Sequence, residues 1–222
     1  MVDVVVFGII DDLRTLFIKR QSKEEAPDEP FPNHWALPGG HVEIHETVEQ
    51  AGERELFEET NARNVFMEQF HTFSGPDRDP REPTISTAFY ALVRPDTLVL
   101  EARSDAKDIG WFSMNHLPKL AFDHADILKM ALERLRDKAL RQPIGFELLP
   151  KKFSLGQLQS VYEKILGRAL DKSNFRRDFL RMGILEELSE REEGVSHRPS
   201  QLYRFNKRTY DNLKKTGFRF EI

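Results

Sequence analysis

The chain has 222 residues, enough for one large domain or two small ones, and 39% hydrophobic with 32% charged residues describes a globular protein with a modest core. It has no cysteine, which excludes disulfides, thiolate catalysis and cysteine zinc sites and fits a cytoplasmic protein, and no run of about 18 apolar residues that could span a membrane. The net charge of −4 hides a division: residues 143–222 carry 16 Lys+Arg against 11 Asp+Glu, and residues 1–142 carry 17 against 26.

The opening "MVDVVVFGII" holds Asp3 and no basic stretch, so it reads as a strand and not as a signal peptide. Asp11-Asp12 is a turn signal, and the β-type run "TLFIKRQ" (15–21) completes a hairpin. Residues 22–34, with Pro27, Pro30 and Pro32, form a loop. "HWALPGGHVE" (34–43) holds a short strand and a Gly-Gly turn. Thr47-x-x-Gln50 has the form of a capping box, opening a helix that runs to about Thr60 and ends at Asn61, a residue suited to a left-handed stop. Residues 65–73 and 84–93 are β-rich, split by the loop "SGPDRDPREP" (74–83); further strands are expected at 98–102 and 108–113. Apolar residues at 127, 128, 131, 132, 135 and 139 predict an amphipathic helix over 124–140, ended by Gln142-Pro143, where the domain boundary is placed.

The second segment, 143–222, changes character. "FSLGQLQSVYEKILG" (153–167) predicts a helix capped by Ser154 and stopped by Gly167. "DKSNFRRDFLRMGILEEL" (171–188) predicts a second helix with a short extension, 191–206 alternates as a small hairpin, and 210–215 is a closing helix. Two helices and then a hairpin is the order of a winged helix-turn-helix.

"RELFEET" (54–60) places Glu55, Glu58 and Glu59 on one helical face, where like charges repel by roughly 0.2–0.5 kcal/mol per pair. Taken alone, three glutamates fit a solvated acidic face with an Arg54–Glu58 pair. A cation is the alternative, and hard oxygen ligands suit Mg²⁺ or Mn²⁺. From Gly40 the pattern extends through Glu46 to Arg54-Glu55-Leu56-Phe57-Glu58-Glu59 and resembles the Nudix box, G-x5-E-x7-R-E-U-x-E-E-x-G-U with U a bulky aliphatic; Asn61 and Ala62 replace the last Gly and U. The resemblance covers roughly residues 1–140. It implies Glu55, Glu58 and Glu59 as divalent-metal ligands at a diphosphate, Glu46 as the holder of Arg54, and a carbonyl of Gly39-Gly40 as a further ligand, with water attacking phosphorus. The loop at 74–92 resembles a segment of Nudix proteins that handle ADP-ribose, in which Arg78 and Arg81 meet phosphate or ribose oxygens; the other reading is an ordinary surface loop. Trp35 either stacks an adenine or packs on the sheet. The seven histidines show no metal-ligand spacing.

The helix at 171–183 carries Lys172, Ser173, Asn174, Arg176, Arg177 and Arg181, with Phe175, Phe179 and Leu180 expected to face a core. A recognition helix reads bases with its N-terminal residues while Arg and Lys grip phosphates, and Arg198 would sit at a wing tip. A solvated basic helix in an interaction module is the plainer alternative. The whole chain, through "LPKLAFDHADIL" (117–128), "SNFRRDFLRMGIL" (173–185) and "HRPSQLYRF" (197–205), resembles the Nudix-related transcriptional regulators of NAD metabolism. That resemblance implies an α+β protein: a Nudix α/β/α sandwich with a mixed sheet over residues 1–142, then a winged helix over 143–222. It also implies a homodimer that senses ADP-ribose or a related nucleotide sugar and binds operator DNA. Many members carry a damaged box and do not hydrolyse; the box here is intact, so a working ADP-ribose pyrophosphatase with an association module stays open.

Overall fold

Val2–Ile9 is almost continuously apolar because both faces of that strand are covered. Residues 1–98, 100, 108–196 and 198–222 are described in the computed structural model, and they divide into two units, Met1–Arg134 and Leu135–Ile222. In the first unit lie strands β1 (Val2–Ile9), β2 (Leu13–Lys19), β3 (Trp35–Ala36), β4 (Gly39–Gly40), β5 (Phe66–Phe73), β6 (Ser86–Leu92) and β7 (Asp108–Ser113), with helix α1 (Val48–Thr60); helix α2 (His124–Arg141) starts in it and runs across the division. β1 is central, parallel to β6 and antiparallel to β2, giving a mixed sheet in the order β3-β2-β1-β6-β5, with β4 also on β1 and β7 on β2. Val2, Val4 and Val6 pack with Leu16, Phe89 and the α1 residues Ala51 and Leu56. Their alternates Val5 and Phe7 are equally buried on the opposite face. Each such side chain contributes about 1.5–3 kcal/mol by leaving water.

The ends of α1 follow from the local sequence. Thr47 accepts from the Gln50 backbone N–H, the Gln50 side chain accepts from the Thr47 N–H, and Asn61 closes the helix at φ 59°. Most of the stripe expected on α2 is observed, with Ile127, Leu128, Ala131, Leu135 and Ala139 buried and Leu132 half-buried. The Gly-Gly pair is not a free turn: it forms β4, with Gly39 opposite Asp3 and Gly40 opposite Val2. A Cβ on Gly39 would lie 2.2 Å from the Val2 carbonyl oxygen, so glycine is what lets the two backbones approach this closely. The strand expected at 98–102 falls largely outside the described residues.

The second unit holds β8 (Phe153–Ser154), α3 (Leu155–Leu166), α4 (Lys172–Arg181), β9 (Leu185–Arg191), β10 (Gln201–Phe205) and α5 (Lys207–Lys215). Ser154 and Gln157 form a capping box, and Gly167 ends α3 at φ 67°. The three strands pair antiparallel in the order β8-β10-β9. Past α4, which ends before Gly183 at φ 68°, the short extension of the expected segment is the start of β9, where Leu185 pairs with Phe205. The core is aromatic: Phe146 stacks on Phe205 at 4.2 Å, and Phe179 meets Phe175 at 4.5 Å, Tyr162 at 5.4 Å and Phe220 at 5.7 Å. Leu180, expected in that core, is exposed, because only Phe175 and Phe179 of α4 share the inward face. Among the described residues no helix is long and apolar enough to cross a membrane.

Candidate ligand cleft and candidate nucleic-acid interface

A cleft of about 630 Å³ opens in the first unit above α1 and β4, within the size range of small-molecule sites. Glu55, Glu58 and Glu59 all line it, as do Arg54, Gly39 and Gly40. Glu46 grips Arg54 through two bonds, Oε2 to Nε at 3.0 Å and Oε1 to Nη2 at 2.6 Å. Arg54 Nη2 also donates to the His41 carbonyl at 2.9 Å, which ties α1 to the strand before it. Nη1 donates to Glu55 at 2.9 Å and Glu58 at 3.2 Å.

Glu59 accepts from the Gly39 N–H at 3.1 Å. Burial, followed by the charges of Glu55, Glu58 and Asp3, pushes its carboxyl well above the usual carboxylate range. Burial also raises Glu55, against the opposing pull of Arg54. With Arg54 drawing Glu55 and Glu58 to itself, no group of three His, Asp or Glu among the described residues stands in a metal-holding arrangement. The donors nonetheless fit a hard divalent cation: they are all carboxylate oxygens at the edge of a cleft. The backbone leaves room for them, since a Cβ on Gly40 would sit 2.1 Å from Glu55 Oε1.

Arg78 also lines the cleft, with its guanidinium held by two aspartates. Its Nε and Nη2 donate to both oxygens of Asp123 at 3.0 Å, and Nη2 also reaches Asp3 at 3.0 Å. Asp3 accepts from Ser86 at 2.6 Å and lies 3.3 Å from His124 Nε2. His124 Nδ1 accepts the Leu37 N–H at 2.8 Å, so the ring proton faces Asp3. Burial pushes the Asp3 carboxyl up, but His124, Ser86 and Arg78 outweigh it and hold the group at about 2. Asp3, Leu37, Arg78 and His124 of this network line the cleft, and Asp123 and His124 tie it to the start of α2. Sequence reasoning passed it over, although a single Asp within a valine strand was the available signal.

Arg81 reaches the cleft with its Nε and Nη2 held by Asp79 and its Nη1 on Glu29 at 3.0 Å. Trp35 does not line the cleft; it packs edge-on against Phe112 at 4.6 Å, with the Lys19 ammonium 5.8 Å from its ring.

In the second unit, Asp171 caps α4 by accepting the Asn174 N–H at 2.8 Å. Lys172, Ser173, Asn174, Arg176, Arg177 and Arg181 are all exposed, opposite buried Phe175 and Phe179. Arg177 and Arg181 lean on Asp178 at 3.1 and 3.5 Å. Arg198 is exposed in the loop joining β9 to β10. Strand β9 carries an acidic run that the sequence reading did not weigh; Arg204 pairs with Glu186 at 2.8 Å and Lys152 with Glu190 at 2.6 Å, so part of it is neutralised in place.

A sandwich with a carboxylate-lined cleft, followed by a winged helix, is the class of protein these features define. Residues 1–131 match the NUDIX domain, and residues 145–205 match the NrtR DNA-binding winged helix domain. A protein of Acinetobacter baylyi described as an ADPR responsive transcriptional repressor, NtrR, is 32% identical over 95% of this chain and 83% of its own length. The ADP-ribose pyrophosphatase of Methanocaldococcus jannaschii is 45% identical over 57% of this chain and 70% of its own. The crystal structure of Shewanella oneidensis NrtR with a 27mer DNA superposes with a TM-score of 0.80 at 28% identity, covering 99% of this chain and 96% of that one. The Nudix domain of that protein complexed with ADP ribose gives 0.53 at 29% identity, over 60% of this chain and 86% of that one. The chain belongs to the Nudix-related NrtR family of regulators.

Proposed function

We propose that the protein is a ligand-responsive transcriptional regulator of the cytoplasm, in which a Nudix unit (1–142) takes ADP-ribose or a related nucleotide sugar and a winged helix (143–222) binds operator DNA as a homodimer. The observation that carries this reading is α4: its polar and basic residues face solvent together, while Phe175 and Phe179 anchor it from behind. In this reading the N-terminal Ser173 and Asn174 meet base edges, while Lys172, Arg176, Arg177, Arg181 and the wing residue Arg198 grip phosphates. The relatives described as an ADPR responsive repressor and as NrtR complexed with DNA and with ADP ribose support the same assignment. Selection from random duplex pools, with and without ADP-ribose, tests it: a palindromic motif whose recovery changes with the ligand is expected, and enrichment of no motif refutes it.

Hydrolysis is the second reading, favoured by the complete carboxylate set and by the pyrophosphatase relative. Glu55, Glu58 and Glu59 would hold Mg²⁺ or Mn²⁺, which supplies Lewis-acid polarisation of a phosphoryl oxygen and activation of water. The chain's own part is positional: Glu46 fixes Arg54, Arg54 orders Glu55 and Glu58, and the Gly39 N–H orients Glu59. Release of AMP from ADP-ribose by purified protein with either metal tests this directly.

A further inference from the structure

The cleft has a second cationic feature, remote in sequence from the Nudix helix. Arg20, at the end of β2, and Arg81, in the loop before β6, both reach one carboxylate, Glu29. Each guanidinium is held from behind. Arg20 Nε donates to the Pro30 carbonyl at 3.1 Å, and Arg81 Nε and Nη2 donate to the buried Asp79 at 3.1 and 2.8 Å. Their remaining forward N–H groups converge: Arg20 Nη2 and Arg81 Nη1 both donate to Glu29, the latter to both oxygens at 3.0 Å.

Both guanidinium groups also lie against one ring, Phe122, at 4.9 Å and 6.0 Å from its centroid. Phe122 is packed edge-on by Phe31 at 4.9 Å. Phe31 and Phe122 both have positive φ, 56° and 50°, a conformation costly for a bulky side chain and sustained only where the surroundings impose it. Arg20, Glu29, Arg81 and Phe122 all line the cleft.

Two pre-oriented guanidinium groups converging on one anion make an anion site. The anion present is a carboxylate with a side chain 45% exposed, on a polar loop. Ion pairs of that exposure hold weakly in water. From this geometry we infer that Arg20 and Arg81 form the phosphate-binding subsite of the cleft, that Glu29 occupies it as an internal stand-in, and that a diphosphate ligand displaces Glu29. Phe122 then offers its ring as a wall beside the bound anion. The inference rests on the nucleotide-sugar reading above and adds Arg20, Glu29 and Phe122 to it. The other cleft arginines fit the role less well, because Arg54 is shared among three glutamates and Arg78 is clasped by two aspartates.

The test is calorimetric titration of the full chain, in metal-free buffer, with ADP-ribose and separately with inorganic pyrophosphate. Wild type, Glu29→Gln, Arg20→Ala, Arg20→Lys and Arg81→Lys are compared, with folding checked by thermal unfolding. Removing the competing charge in Glu29→Gln should tighten both probes by about threefold to tenfold. Arg20→Ala should weaken both about tenfold or more, with the two lysine variants in between because they keep the charge and lose the fork. ADP-ribose binding that is the same in wild type, Glu29→Gln and Arg20→Ala overturns the subsite and leaves the nucleotide reading standing. Arg20-dependent pyrophosphate binding without ADP-ribose binding overturns the nucleotide reading and leaves the subsite. Binding of neither probe overturns both.

Discussion

Replacing Gly39 and Gly40 in turn with alanine should have opposite consequences, although the two are neighbours in one two-residue strand. A Cβ on Gly39 would meet the Val2 carbonyl oxygen at 2.2 Å and the Asp3 Cα at 3.1 Å, both backbone atoms of the central strand. A carbon approaches a carbonyl oxygen no closer than about 3.3 Å in ordinary contacts, so β4 must retreat by about 1 Å and the pairing of Gly39 with Asp3 is lost. Overpacking of this kind costs about 1–3 kcal/mol, or roughly 2–12 °C in the melting of the first unit. A Cβ on Gly40 meets only the Glu55 carboxylate among its nearest atoms, at 2.1 Å from Oε1 and 2.5 Å from Cδ. That side chain can rotate away, at the cost of its bond from Arg54, about 0.5–1.5 kcal/mol. Stability should therefore change little in Gly40→Ala, whereas affinity for Mg²⁺ or Mn²⁺ should fall about tenfold to a hundredfold, as when a ligand's support is removed. Thermal unfolding and calorimetric metal titration of both variants read the two effects. Undiminished metal affinity in Gly40→Ala, or a wild-type melting temperature in Gly39→Ala, refutes the reasoning.

Other expectations follow from the same site and from the second unit. The fold raises the Glu59 carboxyl above its unfolded value of about 4.5, so it favours the protonated form and the metal-free protein loses stability as pH rises from there through the folded value. A cation bound by the carboxylate reverses this, so the gain in melting temperature on adding Mg²⁺ should be larger at about pH 8 than at about pH 5; an equal gain at both removes Glu59 from the metal site. Phe179→Ala empties the centre of the aromatic core and should destabilise the second unit by about 3–5 kcal/mol, measured by denaturant unfolding. Arg176→Ala, if the residue neutralises one phosphate, should flatten the salt dependence of DNA binding by about 0.9 in log–log slope, whereas changes at Ser173 or Asn174 should shift the preferred sequence; a filter-binding slope unaltered by Arg176→Ala contradicts that placement.

The presence of the helices and the caps of α1 and α3 were readable without a structure, because each is decided within a few residues. Thr47 and Gln50 satisfy each other's backbone across one turn, Asn61 and Gly167 supply the left-handed stops, and the spacing of Glu55, Glu58 and Glu59 puts them on one face of any helix that forms there. The exposed basic face of α4 over Phe175 and Phe179 follows from the same periodicity. Misreadings arose where local rules compete. Gly39-Gly40 carries a turn signal yet pairs with β1, because only glycine lets those backbones approach so closely. Leu180 continues an apolar pattern yet points to solvent, one position past the inward face.

Pairings between distant segments were beyond any local rule. Glu29 and Arg81 are 52 residues apart, Arg78 and Asp3 are 75 apart, and Leu37 meets His124 across 87. Those meetings depend on β1 lying parallel to β6 and on the paths of two loops, neither of which leaves a periodic trace in the sequence. The sequence by itself therefore determined which helix carries the carboxylates and which carries the exposed basic face, since hydrogen bonds within a helix are local. Only the tertiary structure decided that Arg78 is spent on Asp3 and Asp123 while Arg20 and Arg81 converge on a single exposed carboxylate, because the partner of a charged side chain is set by whatever the folded sheet brings beside it.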